Sequence, residues 1–360
     1  MLGGMLDAAF RVLRVLVAVT LAAMAGCAGQ RCPEDVLASS EDPGSVRQWV
    51  LPALGVPQAW ARGRGGGVLV AVIDNGFDLD HPDLRDRLWT NLLEIADNGI
   101  DDDANGYVDD VHGWDFLDGD PDARIEASET LREGLRAHGT AAAGVVAAEA
   151  DNGIGVAGAC PECELLLLRA RDFELAHTVL PALAEALRYA IAQGARIVSV
   201  SDGRFAADVP AELDAELRAA ISEAEAAGVL IVASAGNDGE RGVRLPAAYP
   251  TVLAVASVGP EFRPSPWTSH GPEVDLCAPG ECLHSLGPGG GLHCFEGTSA
   301  STPLVAALAA LVLAANPSWD PARIREHLRA TSQPLDLRDH PELELRLGAG
   351  VIDFAAALLL

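Results

Sequence analysis

The chain has 360 residues, enough for one large domain or two small ones, and 49% are apolar, which excludes wholesale disorder. It is strongly acidic, with 52 Asp+Glu against 25 Lys+Arg and a formal charge of −27, so a nucleic-acid phosphate backbone is excluded as a partner. Every basic residue is arginine; the absence of lysine removes P-loop, Schiff-base and Ser-Lys chemistry, and 5% aromatics argues against base- or sugar-stacking platforms.

Arg11 and Arg14 precede an apolar run from Val15 to Ala25 that is too short for a mature membrane span. The run ends in Met24-Ala25-Gly26-Cys27, similar to a bacterial lipoprotein cleavage box with methionine where leucine is usual. The expectation is a signal peptide over 1–26, export, and attachment to a membrane only through a lipid on Cys27. Residues 27–46 read as a tether, and 47–360 as one compact domain. Export permits disulfides. Cys160-Pro161-Glu162-Cys163 reads as a local staple, Cys282 and Cys294 as a bridge in preference to zinc ligands, and Cys277 as a buried free thiol.

Apolar runs at 68–73, 165–169, 196–200, 229–234 and 252–258 predict buried strands. Helical patterns at 138–150, 178–193, 211–227, 298–315 and 321–331 alternate with them. Continuous Val/Ile/Leu strands between helices of that length predict an α/β fold: three α/β/α layers with a mostly parallel central sheet. Reactive groups in such sheets gather beyond the carboxyl ends of the strands. Asp74 follows the first strand and Asn237 the fourth. An acidic insertion occupies about 94–125.

Four stretches carry chemistry. Val70-Ala71-Val72-Ile73-Asp74 puts a carboxylate at a strand end. His138-Gly139-Thr140 opens an Ala-rich helix. Ser234-Ala235-Gly236-Asn237-Asp238-Gly239 holds a side-chain amide in a glycine-rich turn. Gly297-Thr298-Ser299-Ala300-Ser301-Thr302-Pro303 opens another Ala-rich helix, with Pro303 read as tolerated in its first turn. Singly, each reads as a cap or a turn former. Together they supply what amide hydrolysis requires. Serine needs an adjacent base to attack, and histidine can take the proton and return it to the leaving amine. A buried carboxylate sets the imidazole tautomer, and an amide plus a helix-start N–H can hold the oxyanion.

On these residues the chain resembles the subtilisin family of serine proteases, over about residues 47–358. Asp74 to Leu84, His138 to Val146, Pro246-Ala247-Ala248-Tyr249-Pro250, Trp267 to Gly271 and Gly348 to Asp353 resemble further family segments. The resemblance implies that Asp74 orients, His138 is the base and then the acid, Ser299 attacks, and Asn237 stabilises the oxyanion. Two departures stand out. Ala141 replaces a common second histidine, and Asp202 in Ser201-Asp202-Gly203 replaces a hydrophobic residue of the segment that pairs with substrate backbone. Residues 28–46 are too short for the family's usual folding prodomain. Asp238, beside Asn237, weakly suggests preference for a basic side chain.

Asp101-Asp102-Asp103-Ala104-Asn105-Gly106-Tyr107-Val108-Asp109 has most of an EF-hand loop, so Asp101, Asp103, Asn105 and Asp109 are expected calcium ligands. A second calcium site is implied by the resemblance: Ala150 to Val156 with the side chains of Gln48, Asp83 and Asn152. The function expected is a monomeric, exported serine endopeptidase acting on peptides or proteins through an acyl-enzyme, with structural Ca2+. The alternative is a catalytically weak calcium-binding surface lipoprotein on the same fold. A serine esterase of the α/β-hydrolase type is excluded by the Asp-His-Ser order and by Ala300-Ser301 after Ser299.

Overall fold

Alternation along Leu69–Asp74 (β1) sends Val70 and Val72 to one face and Ala71 and Ile73 to the other, and both faces are buried. That is the condition for a sheet enclosed between two helical layers. The computed structural model describes residues 40–125, 133–172 and 179–359. The expected signal peptide and lipid site at Cys27 lie outside these.

The strands are β1, Gly113–Asp115 (β2), Glu164–Arg169 (β3), Ile197–Val200 (β4), Leu230–Ser234 (β5), Leu253–Val258 (β6) and Leu276–Pro279 (β7). They form one sheet in the order β2-β3-β1-β4-β5-β6-β7, and its pairings are parallel. A separate antiparallel hairpin joins Leu283–Gly287 (β8) to Gly291–Phe295 (β9). The five predicted strands are present. The edge strands β2 and β7 and the hairpin are additions, too short or too polar to stand out in sequence.

His138–Ala147 (α1) and Thr298–Ala315 (α4) cover one face; Val179–Ala192 (α2) and Ala211–Ala226 (α3) pack on the other. Helix α4 is long and apolar enough to cross a membrane, yet 89% of it is buried, so it serves as the core helix. Pro303 sits past its first turn and cannot donate to the Ser299 carbonyl. Ser201 Oγ donates to that carbonyl instead, at 3.1 Å. The first-turn explanation for Pro303 is therefore replaced by a side-chain substitute for the missing amide.

Two further segments are tied into the fold. Residues 40–46 are packed rather than free: buried Asp42 accepts from the backbone N–H groups of Asp151, Asn152 and Gly153 at 2.9–3.0 Å. The acidic insertion contributes β2. Tyr107 packs edge-on against Trp114 and Tyr189 (centroids 5.0 and 4.8 Å), and Tyr189 Oη donates to buried Asp110 at 2.6 Å. The Cys160–Cys163 staple is formed, Cys282 and Cys294 are half-cystines, and Cys277 is a buried free thiol.

Pro321–Ala330 (α5) is clamped to the sheet by Asp275, which is 3% exposed. Asp275 accepts from Arg325 at 2.8 and 2.9 Å, from Arg329 at 2.8 Å and from Ala254 N at 3.0 Å. Asp275→Ala leaves two guanidinium groups and a buried N–H without this acceptor, and should cost about 3 kcal/mol in urea unfolding.

Candidate active site

The chain runs outward from β1 in two directions, to β3 on one side and to β4 on the other. A crevice opens at the carboxyl ends of strands around such a reversal. Asp74 ends β1 there, with no exposed surface. Its carboxylate accepts from His138 Nδ1 at 2.7 and 2.9 Å and from Asn75 N at 2.8 Å. The two side chains are 64 positions apart. The Nδ1–H tautomer this requires leaves Nε2 facing the cleft.

Close backbone approach makes this pairing feasible. A Cβ on Gly139 would lie 2.3 Å from the Gly76 carbonyl and 3.2 Å from Asp74 Cβ. Asn75 ties the two segments further: its Oδ1 accepts from Gly139 N at 3.1 Å and its Nδ2 donates to Leu135 O at 2.8 Å. Phe295 of β9 meets the imidazole edge-on, centroids 5.1 Å apart. The hairpin thus braces the base.

Ser299 is the second residue of α4 and is 8% exposed. Its Oγ donates to Ser201 O at 3.4 Å, not to the imidazole. Arg171 shares that acceptor. Its Nη1 donates to the same Ser201 O at 2.9 Å and stands 3.3 Å from His138 Nε2. Asn237 is oriented from the helix start: its Oδ1 accepts from Thr298 N at 2.9 Å and Thr298 Oγ1 at 3.1 Å. With the carbonyl end committed, Nδ2 is the end left for a ligand. Gly297, at φ +94°, keeps a side chain from pressing on that amide, since a Cβ there would lie 2.9 Å from Nδ2.

Asp238 is already taken. Arg244 donates to both its carboxylate oxygens, at 2.6 and 2.8 Å, and to Gly203 O at 3.2 Å. The weak expectation that Asp238 selects a basic side chain is therefore corrected. Asp202 differs: its Oδ1 is 3.4 Å from Arg171 Nε, and its buried Oδ2 has no hydrogen-bond partner among the described residues.

The expected metal ligands divide. Asp101 and Asp103 turn carboxylate oxygens to within 4.8 Å of each other and of Glu94, which sequence reasoning missed because it lies before the loop motif. Hard oxygen donors are the type Ca2+ takes, in sets of six to eight. Backbone N–H groups bond the oxygens of this loop generally: Asn105 Oδ1 accepts from Tyr107 N at 2.7 Å, Asp109 from Asn98 N and Gly99 N at 3.0 and 2.9 Å, and Asp101 from Asn105 N and Gly106 N at 3.0 and 2.8 Å. The second set is hydrogen-bonded within the chain. Gln48 Oε1 accepts from Ala157 N at 3.0 Å, and Asn152 turns its amide nitrogen, not its oxygen, to Asp83 at 2.8 Å. Val156 N satisfies the other Asp83 oxygen at 2.9 Å. Burial still pushes the Asp83 carboxyl up to about 6.

The subtilase family model matches residues 65–350. Thermitase of Thermoactinomyces vulgaris is 32% identical over 268 residues, covering 74% of this chain and 82% of the relative. Alkaline elastase YaB of Bacillus sp. (strain YaB) is 31% identical over 339 residues, covering 90% of this chain and 77% of the relative. A solved protease of Pseudoalteromonas arctica PAMC 21717 matches with a TM-score of 0.70 at 25% identity, over 89% of this chain and 99% of that one. Fold and relatives together define a serine-type endopeptidase. The chain belongs to the subtilase family.

The close approach at Gly139 sets an expected outcome. Gly139→Ala must push α1 away from Asp74, and should lower stability by about 1–3 kcal/mol in urea unfolding.

Proposed function

We propose that Ser299, His138, Asp74 and Asn237 hydrolyse peptide bonds in peptide or protein substrates. The reading rests above all on the buried Asp74–His138 bond, 2.7 Å long and joining two distant segments beside Ser299. Ser299 Oγ attacks the scissile carbonyl carbon while His138 Nε2 takes its proton. The tetrahedral oxyanion is held by Asn237 Nδ2 and the Ser299 backbone N–H at the start of α4. The C–N bond breaks as Nε2 returns the proton to the leaving amine, leaving an acyl-enzyme. Water then repeats the sequence and releases Ser299. Asp74 keeps the imidazole in the Nδ1–H tautomer and stabilises its protonated form.

Export, with a lipid on Cys27 as the membrane attachment, is part of this reading and rests on the Arg11–Cys27 segment. Ca2+ in the insertion would be structural, held by Glu94, Asp101 and Asp103, and bound preferentially by the folded state.

A fluorophosphonate probe should label the wild-type chain and fail to label Ser299→Ala; equal labelling of the two would remove Ser299 from the mechanism. Asn237→Ala should lower kcat by about 10²–10³-fold with little change in KM, a scale set by measurements on a subtilisin. EDTA should lower the melting temperature, and Ca2+ should restore it. Glu94→Gln should abolish that response while Asn152→Ala retains it; an EDTA-insensitive wild type would exclude the ion.

A further inference from the structure

Asn75 follows the acid of the Asp74–His138 pair and reaches both sides of the base. It is buried, and both polar atoms of its side chain are bonded. Oδ1 accepts from Gly139 N at 3.1 Å, and Nδ2 donates to Leu135 O at 2.8 Å. Those two residues bracket His138, three positions before it and one after. The Asn75 backbone N–H donates to Asp74 Oδ1 at 2.8 Å, the same oxygen that accepts from His138 Nδ1 at 2.7 Å. One residue thus holds the acid through its main chain and the backbone around the base through its side chain.

The start of α1 explains why the task falls to this residue. His138 and Gly139 are its first two residues, and the first N–H groups of a helix have no carbonyl partner within it. A side chain at the preceding position is the usual remedy. Here that position is Ala137, which has no acceptor, and no side-chain cap bond forms. Asn75 supplies the acceptor from the end of β1. Among short side chains only the amide accepts at one atom and donates at another, so it alone can serve Gly139 N–H and Leu135 C=O together. Turned over, the same amide would oppose N–H to N–H and oxygen to oxygen.

We propose that Asn75 is a positioning residue for the peptidase reaction. It fixes the first turn of α1 so that the imidazole stands where it can bond Asp74 and serve Ser299. It acts through His138 and needs no contact with substrate. A misplacement of about 1 Å in a reacting group can cost about 10²-fold in rate. Substrate binding does not depend on this bracket, so its loss falls on kcat rather than on KM. The proposal rests on the peptidase reading given above.

The test uses the full chain and a quenched fluorescent peptide that the wild type cleaves. Asn75→Ala should lower kcat by about 10- to 100-fold and leave KM within about twofold. Fluorophosphonate labelling of Ser299 should slow by a similar factor. Asp275→Ala, which unclamps α5 instead of α1, is the comparison for lost stability. At a temperature where both variants are folded it should keep kcat within about twofold of wild type. The proton resonance of His138 Nδ1–H, carried downfield by its carboxylate partner, should move or broaden in Asn75→Ala and stay in place in Asp275→Ala. If Asn75→Ala does not fold, Asn75→Asp takes its place: it keeps an acceptor for Gly139 N and loses the donor to Leu135 O, and should show the same loss in kcat at unchanged KM. A folded Asn75 variant that keeps kcat within about threefold of wild type overturns this proposal alone. So does an unmoved Nδ1–H resonance, or an equal fall of kcat in Asp275→Ala. A wild type that neither labels nor cleaves overturns the peptidase reading, and this proposal with it.

Discussion

A carboxylate taken out of water costs several kcal/mol unless donors replace the solvent. At Asp74 the replacements are the His138 imidazole and the Asn75 amide, at 2.7 and 2.8 Å. That requirement governs much of the surrounding structure. β1 must end in the crevice where the sheet's chain order reverses, and α1 must open against it. Gly139 must lack a side chain so that the two backbones meet. Phe295 must stand on the far edge of the ring. The base is therefore a product of sheet, helix and hairpin together.

The nucleophile's side of the cleft is built by a second substitution of donors. Helix α4 is buried almost throughout, so any missing backbone bond in it has to be replaced. Pro303 removes the donor to the Ser299 carbonyl, and Ser201 Oγ supplies another. At the start of the helix Asn237 Oδ1 accepts from the Thr298 N–H and hydroxyl. Ser201 thus touches Ser299 twice, giving a bond through its hydroxyl and receiving one through its carbonyl. The segment after β4 is tied to the nucleophile through both groups.

Arginine is the chain's only cationic side chain other than histidine, and the structure uses it repeatedly as a planar clamp between elements. Asp275 holds Arg325 and Arg329; Asp238 holds Arg244; Asp115 and Asp118 share Arg169. A fork of fixed N–H donors suits buried carboxylates better than a flexible ammonium does. Among these clamps Arg171 is distinctive because its contacts include a group of the candidate catalytic machinery.

The layers, the core strands and the four chemical residues were legible in sequence because each has a local signal. Continuous apolar runs mark β1 and β3 to β6, Ala-rich segments mark α1 and α4, and Asp74, His138, Asn237 and Ser299 sit at element ends. Edge strands β2 and β7 were not legible, since three or four residues carry no periodicity. The acidic cluster was legible in part: loop spacing named Asp101 and Asp103, whereas Glu94 enters from outside the motif. Arg171 gave no warning, because its meaning depends on the β1–β3 register that sets it over His138. Sequence by itself determined what each segment buries and which reactive types the chain carries. Tertiary structure alone decided which of them touch, because hydrogen bonds and ion pairs are contacts of a few ångströms between positions that chain spacing leaves independent.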